Sequence, residues 1–147
     1  MQMTQFESLI SELAAASGLA LQVDAQDSCS LETDGIIVTI QYRRERDDVV
    51  LFAPVTEPDT DLPPETLRTA LSLACHGEGT YGNFLGLFDG ALILSALLPL
   101  EGLDAEMLAT HLLAFSDAAV AVRNALAASV SPDAAPAEPL PGNGLRG

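Results

Sequence analysis

Two Asp-Gly pairs, Asp34-Gly35 and Asp89-Gly90, each sit between runs of β-branched, aliphatic or aromatic residues, and nothing else in the chain constrains its fold as much. Asp and Gly both tolerate the positive φ angles of a two-residue turn, whose twist matches that of the strands it joins. Each pair therefore predicts a hairpin. Cys29 to Thr33 and Ile36 to Tyr42 flank the first; Asn83 to Phe88 and Ala91 to Leu98 flank the second. A period of two puts Ile36, Val38, Ile40 and Tyr42 on one face and Ile37, Thr39 and Gln41 on the other. Arg43 to Asp48 is too charged to bury and reads as an exposed turn into a third strand, Val49 to Val55, which makes a three-stranded antiparallel meander.

Helical patterns bracket these strands. Thr4-Gln5-Phe6-Glu7 is a capping box, and Phe6, Leu9, Ile10 and Leu13 follow at helical spacing until Gly18 supplies a stop. Leu19, Leu21 and Val23 then alternate, which predicts an extended segment before a break at Asp24 to Ser28. Glu57 to Pro64 is an acidic linker whose last prolines suit the first turn of a second helix, running to about Cys75 with Leu67, Ala70, Leu71 and Ala74 as its apolar stripe. Asp104 caps a third helix with the stripe Leu108, Leu112, Phe115, Ala119, Val122 and Leu126. From Ser131 the last 17 residues hold four prolines and three glycines without a periodic apolar pattern, so residues 131–147 are expected to be a disordered tail on a domain of residues 1–130. The fold class is α+β: helix, three-stranded meander, helix, β-hairpin, helix, forming a five-stranded twisted sheet with helices packed on it.

Charge narrows the function. Six arginines against 21 acidic residues give a net charge of −15, yet 48% of the 147 residues are hydrophobic and the mean hydropathy is +0.28. Nucleic acid and anionic lipid are both held by clustered cations, so neither is an expected partner. The longest apolar stretch, Ala91 to Leu100, is far short of the ~20 residues that cross a bilayer. Met1 to Glu12 has no cationic start before an apolar run, and Cys29 and Cys75 form no CxxC pair, which points to a reducing cytoplasm.

The chemical motifs do not assemble. Gly77-Glu78-Gly79-Thr80-Tyr81-Gly82 spells GxGxxG, but a helix precedes it and a strand follows, the reverse of the dinucleotide fingerprint; it reads as a flexible helix-to-strand turn. Cys75 and His76 are neighbours that a helix would point about 100° apart. His111 is remote from both, and a zinc site would need carboxylates from unrelated segments. Asp47-Asp48 and the acidic residues Asp59 and Asp61 lie in polar loops. The expectation is a protein without catalysis, cofactor or metal. What remains is surplus apolar surface: Ile36-Ile37-Val38, Val49 to Phe52 and Leu92-Ile93-Leu94 are apolar on both faces, and three helices cover little more than one. Uncovered apolar surface on a soluble chain marks an interface.

This element order on an acidic chain resembles the class I type III secretion chaperones, the family of the Tir chaperone. The resemblance spans Thr4 to Val130 and rests most on Asp89-Gly90, the alternating Leu92 and Leu94, Leu98-Pro99-Leu100, Leu103-Asp104, and a last helix with Phe115, Ala118, Ala119 and Arg123. Val122 stands where members often carry a bulkier aromatic. The resemblance implies a bacterial cytoplasmic homodimer that uses no ATP, keeps the N-terminal chaperone-binding segment of a secreted effector extended, and helps deliver it to the export apparatus, whose ATPase is a further implied partner. By position it makes Leu67, Ala70, Leu71 and Ala74 dimer residues, and Phe6, Leu9, Ile10, Leu13, Val50 and Phe52 effector contacts. The alternatives are a non-enzymatic regulatory adaptor of the same fold that binds a folded protein, and a small hydrolase, which would need a pocket of perturbed titrating groups.

Overall fold

The computed structural model describes residues 4–58 and 61–129. The expected tail lies outside them. Among the described residues the order is α1 (Gln5–Ser17), β1 (Ser28–Thr33), β2 (Ile36–Arg43), β3 (Asp48–Pro54), α2 (Pro64–Ala74), β4 (Phe84–Phe88), β5 (Ala91–Pro99) and α3 (Ala105–Ala128). Thr4 accepts from the Glu7 N–H at 3.0 Å while the Glu7 carboxylate accepts from the Thr4 N–H at 3.3 Å, closing the capping box. Gly18 ends α1 in the left-handed region, φ 72°. Both hairpin turns take positive φ at consecutive positions, 51° and 78° at Asp34-Gly35, 51° and 79° at Asp89-Gly90.

All the strand pairs are antiparallel, in the order β1-β2-β3-β5-β4. The second hairpin therefore joins the meander through its second strand, leaving β4 and β1 as the edges. Inward residues Ile36, Val38, Ile40, Val49, Leu51, Ala53, Leu92 and Leu94 are buried beneath the helices. The α3 stripe from Leu108 to Leu126 falls on this face as spaced, with Ser116 and Ala118 added to the buried set. By length and composition α3 could also cross a bilayer, but in this fold its stripe is part of the core. Phe6 of α1 stacks on Tyr42, ring centroids 5.6 Å apart.

Residues 19–23 join none of the five strands; Leu21 and Val23 lie half-buried against the core, and Asp24 turns the chain by accepting from the N–H groups of Gln26 and Ser28. Two expectations are corrected. On α2 the residues turned inward are Thr66 and Ala70, with Leu73 packed on the core, whereas Leu67 and Leu71 turn out. The Gly77 to Gly82 turn is tightly built. Thr80 is fully buried, its hydroxyl within reach of the Asn83 and Gly77 carbonyls at 2.8 and 3.3 Å, and a Cβ on Gly79 would meet the Leu73 Cα and carbonyl oxygen at 2.7 Å. No pyrophosphate loop is formed: the turn is closed on itself by the Gly82 N–H to the Gly77 carbonyl.

Candidate protein-binding surface

The face of the sheet turned away from the core is built in rows by strand register. Gln41, Val50 and Leu97 form one row; Ser30, Thr39, Phe52, Ser95 and Phe84 form the next; Pro54, Ile93 and Gly86 form a third; and Phe88 lies opposite Ala91. The polar half lies on β1 and β2, where the Ser30 and Thr39 hydroxyls share a hydrogen bond of 2.9 Å. The apolar half lies on β3, β5 and β4. There Phe84, Phe88 and Leu97 are 61%, 69% and 46% exposed, and Val50, Phe52 and Ile93 are half-buried. Gly86 carries no side chain between the two phenylalanines, and the gap is the floor of a groove of about 440 Å³ lined also by Gln41, Phe52, Ile93 and Ser95.

This arrangement brings together Val50 and Phe52 and separates them from the other expected contacts. Phe6, Leu9, Ile10 and Leu13 are at most 4% exposed and sit in the core on the opposite side of the sheet. They hold α1 in place and present no surface, because the stripe a helix needs to pack on α3 is the stripe the spacing revealed. Of the expected dimer residues, Ala70 is buried, Ala74 is half-buried, and Leu67 and Leu71 are exposed, Leu71 at 75%. Sequence reasoning missed Phe84, Phe88 and Leu97, and took Ile93 only as part of the surplus apolar surface. The signal was present: Phe84 and Phe88 are an even number of residues apart, as are Ile93 and Leu97, so each pair shares one face of its strand.

Several charged groups are paired locally. Arg43 donates two hydrogen bonds to Asp48 at 2.7 and 2.6 Å, Arg44 donates to Asp27 at 2.7 Å, and the Tyr42 hydroxyl donates to Asp47 at 2.8 Å. Arg123 donates to the Asp34 carbonyl at 2.9 Å. The hydrogen bonds from Arg43 hold the Asp48 carboxyl below the usual carboxylate range, and the N–H groups of Gln26 and Ser28 do the same for Asp24. Burial, helped by the Asp24 charge, pushes the Cys29 thiol up to about 11, which removes it as a nucleophile. Cys75 and His76 are exposed at the end of α2, where His76 takes φ 59°. Among the described residues no three of His, Cys, Asp and Glu converge as metal ligands.

The sequence model of the Tir chaperone protein (CesT) family matches residues 8–123. The chain belongs to this family. Solved structures agree with the fold. The chain in the structure of the HopA1-SchA chaperone-effector complex is 20% identical, with a TM-score of 0.64 over 82% of this chain and 94% of that one. The chain from the ExsC-ExsE complex is 25% identical, with a TM-score of 0.68 over 81% and 91%. The chain from the Yersinia pestis type III secretion chaperone SycH in complex with a stable fragment of YscM2 is 19% identical, with a TM-score of 0.59 over 80% and 98%. No curated protein sequence matches. The helix-strand order and the antiparallel sheet are thus those of the family, and the outer face described above belongs to a chaperone fold.

Proposed function

We propose that this protein is a cytoplasmic type III secretion chaperone: it binds the N-terminal chaperone-binding segment of one or more effectors, keeps it extended and soluble, and helps target it to the export apparatus. The observation that carries this reading is the uncovered apolar half of the sheet in a chain of the Tir chaperone family. An extended segment fits such a face because alternate side chains can enter the gap at Gly86 and lie along Phe52, Phe84 and Phe88, with no need for a folded partner. The solved structures whose chains share this fold include the HopA1-SchA chaperone-effector complex and the chaperone SycH in complex with a stable fragment of YscM2. The protein works as a homodimer through the outward stripe of α2, Leu67, Leu71 and Ala74, and performs no catalysis and needs no cofactor.

The test is co-expression with the product of the neighbouring gene, followed by affinity measurement with wild-type protein and Phe52→Asp. The wild type is expected to render the neighbour soluble, and Phe52→Asp to lose at least about tenfold in affinity, as central apolar contacts do, with an unchanged melting temperature. A partner that is fully folded where it touches the chain would replace the chaperone reading with the regulatory adaptor of the same fold.

A further inference from the structure

A second groove, of about 580 Å³, opens at the end of the sheet, where Ile37 of β2 and Pro54 of β3 meet Val55, Leu62 and the end of α3 at Leu126. Strand register ties it to the gap at Gly86. Gly86 pairs with Ile93 and Ile93 with Pro54, and Ile37 comes beside Pro54 because Thr39, two residues on, pairs with Phe52. One row of the outer face thus begins in the first groove, which Gly86 and Ile93 line, and ends in the second, which Pro54 and Ile37 line. Ile37 is 53% exposed and Pro54 is exposed, so the crossing is presented outward. Its chemistry sets it apart: 21 of the 147 residues are acidic, yet neither this row from Gly86 to Ile37 nor the adjacent one, Phe84, Ser95, Phe52 and Thr39, holds an ionisable group. On β1 the row meets the exposed Glu32, the partner of Ile37, so the apolar path leaves the sheet at Ile37 and turns into the second groove. Arg123, Glu57 and Asp61 also line that groove, and charge is met only past the crossing.

We propose that the second groove is a second anchor site for the same extended effector segment, which crosses the sheet from the Gly86 gap over Ile93 and Pro54 and enters the groove past Ile37. The inference rests on the chaperone reading above and adds the pattern the segment must carry. Three strand spacings separate Gly86 on β4 from Ile37 on β2, about 14 Å at ~4.8 Å each, and an extended segment rises ~3.3 Å per residue. The two anchors are therefore about four residues apart. An even separation turns both side chains to the sheet, together with the residue midway between them, which lies over Ile93 and Pro54. None of the three meets a charge on the row, and burial of an unpaired charge is costly, so the segment is apolar at both anchors and uncharged midway. The second groove has the volume of sites that hold small ligands, ample for one large side chain.

NMR titration of the full chain, isotopically labelled at its methyl groups, with short synthetic peptides bearing two leucines on a Ser-Gln background tests this. A peptide with its leucines four residues apart is expected to shift the resonances of Ile93, Ile37 and Leu126 together. It should bind about tenfold more tightly than one with leucines three apart, the worth of a buried leucine side chain. Asp midway between the leucines should remove that gain. Ile37→Asp, at an exposed position, should keep the melting temperature and the shift at Ile93, lose the shift at Leu126, and bring the two spacings to equal affinity. Equal affinities in the wild type, shifts confined to Ile93, or no binding at millimolar peptide would overturn the proposal. Shifts confined to Ile93 would leave the chaperone reading standing, since that reading is decided by the co-expression test.

Discussion

At the scale of single residues, the core is intolerant and the acids are tuned. Leu9 is 4% exposed among α1 and α3 side chains, so Leu9→Ala is expected to cost ~2–5 kcal/mol, measured by denaturant unfolding, and Leu9→Asp to prevent folding. Neither is a clean probe of binding. Asp48 and Asp24 have carboxyls below the usual carboxylate range in the folded state, chiefly through hydrogen bonds from Arg43 and from the Gln26 N–H respectively. A group depressed in this way adds stability above its unfolded value and loses it as pH falls through the folded value. Melting temperature should therefore drop from pH 5 to 3, and Asp48→Asn should be less stable than wild type at pH 7 with a shallower drop. An equally steep drop in the variant would remove Asp48 from this account.

At the scale of elements, β4 is the least covered strand, an edge with Phe84, Leu87 and Phe88 each more than 60% exposed. A strand like this would ordinarily be blunted by charge or proline. Gly86 is the position that makes it a groove, and a Cβ there meets nothing within 4 Å. Gly86→Val is thus expected to leave stability unchanged or raise it by about 0.5–1 kcal/mol, since valine loses less backbone freedom and suits a pleat. The same change should weaken effector binding severalfold by filling the gap. Isothermal titration beside thermal melting separates the two effects; full affinity in Gly86→Val would take the bound segment off this row.

At the scale of the whole molecule, two surfaces lie on different elements: the apolar half of the sheet and the outward stripe of α2. Leu71→Asp, at a position 75% exposed in the protomer, should leave the fold intact and yield a monomer in sedimentation at micromolar concentration. Joining two chains of net charge −15 also sets like charges against one another. Raising salt from ~0.01 M to ~0.15 M shortens the screening length from about 30 to about 8 Å and should tighten the dimer. A dimer that survives Leu71→Asp would move the interface off α2.

Local chemistry decided much of this fold from the sequence alone. The capping box at Thr4, the Gly18 stop, both Asp-Gly turns, the Asp104 cap and the α3 stripe each depend on neighbours a few residues away, and each is found where its pattern places it. The stripe of α2 was legible as a helix but not in its division: Leu67, Ala70, Leu71 and Ala74 read as one outward-facing set, whereas the fold buries Ala70 with Thr66, packs Leu73 on the core and leaves Leu67 and Leu71 exposed. The same holds for the sheet. Val50 and Phe52 were readable as surplus apolar residues, but their union with Phe84, Phe88, Ile93 and Leu97 depends on β5 rather than β4 pairing with β3. Antiparallel pairing is open to either strand of a hairpin, and which one is taken is settled by how α2 and α3 cover the inner face, an energy that belongs to packing across the whole chain and to no segment of it.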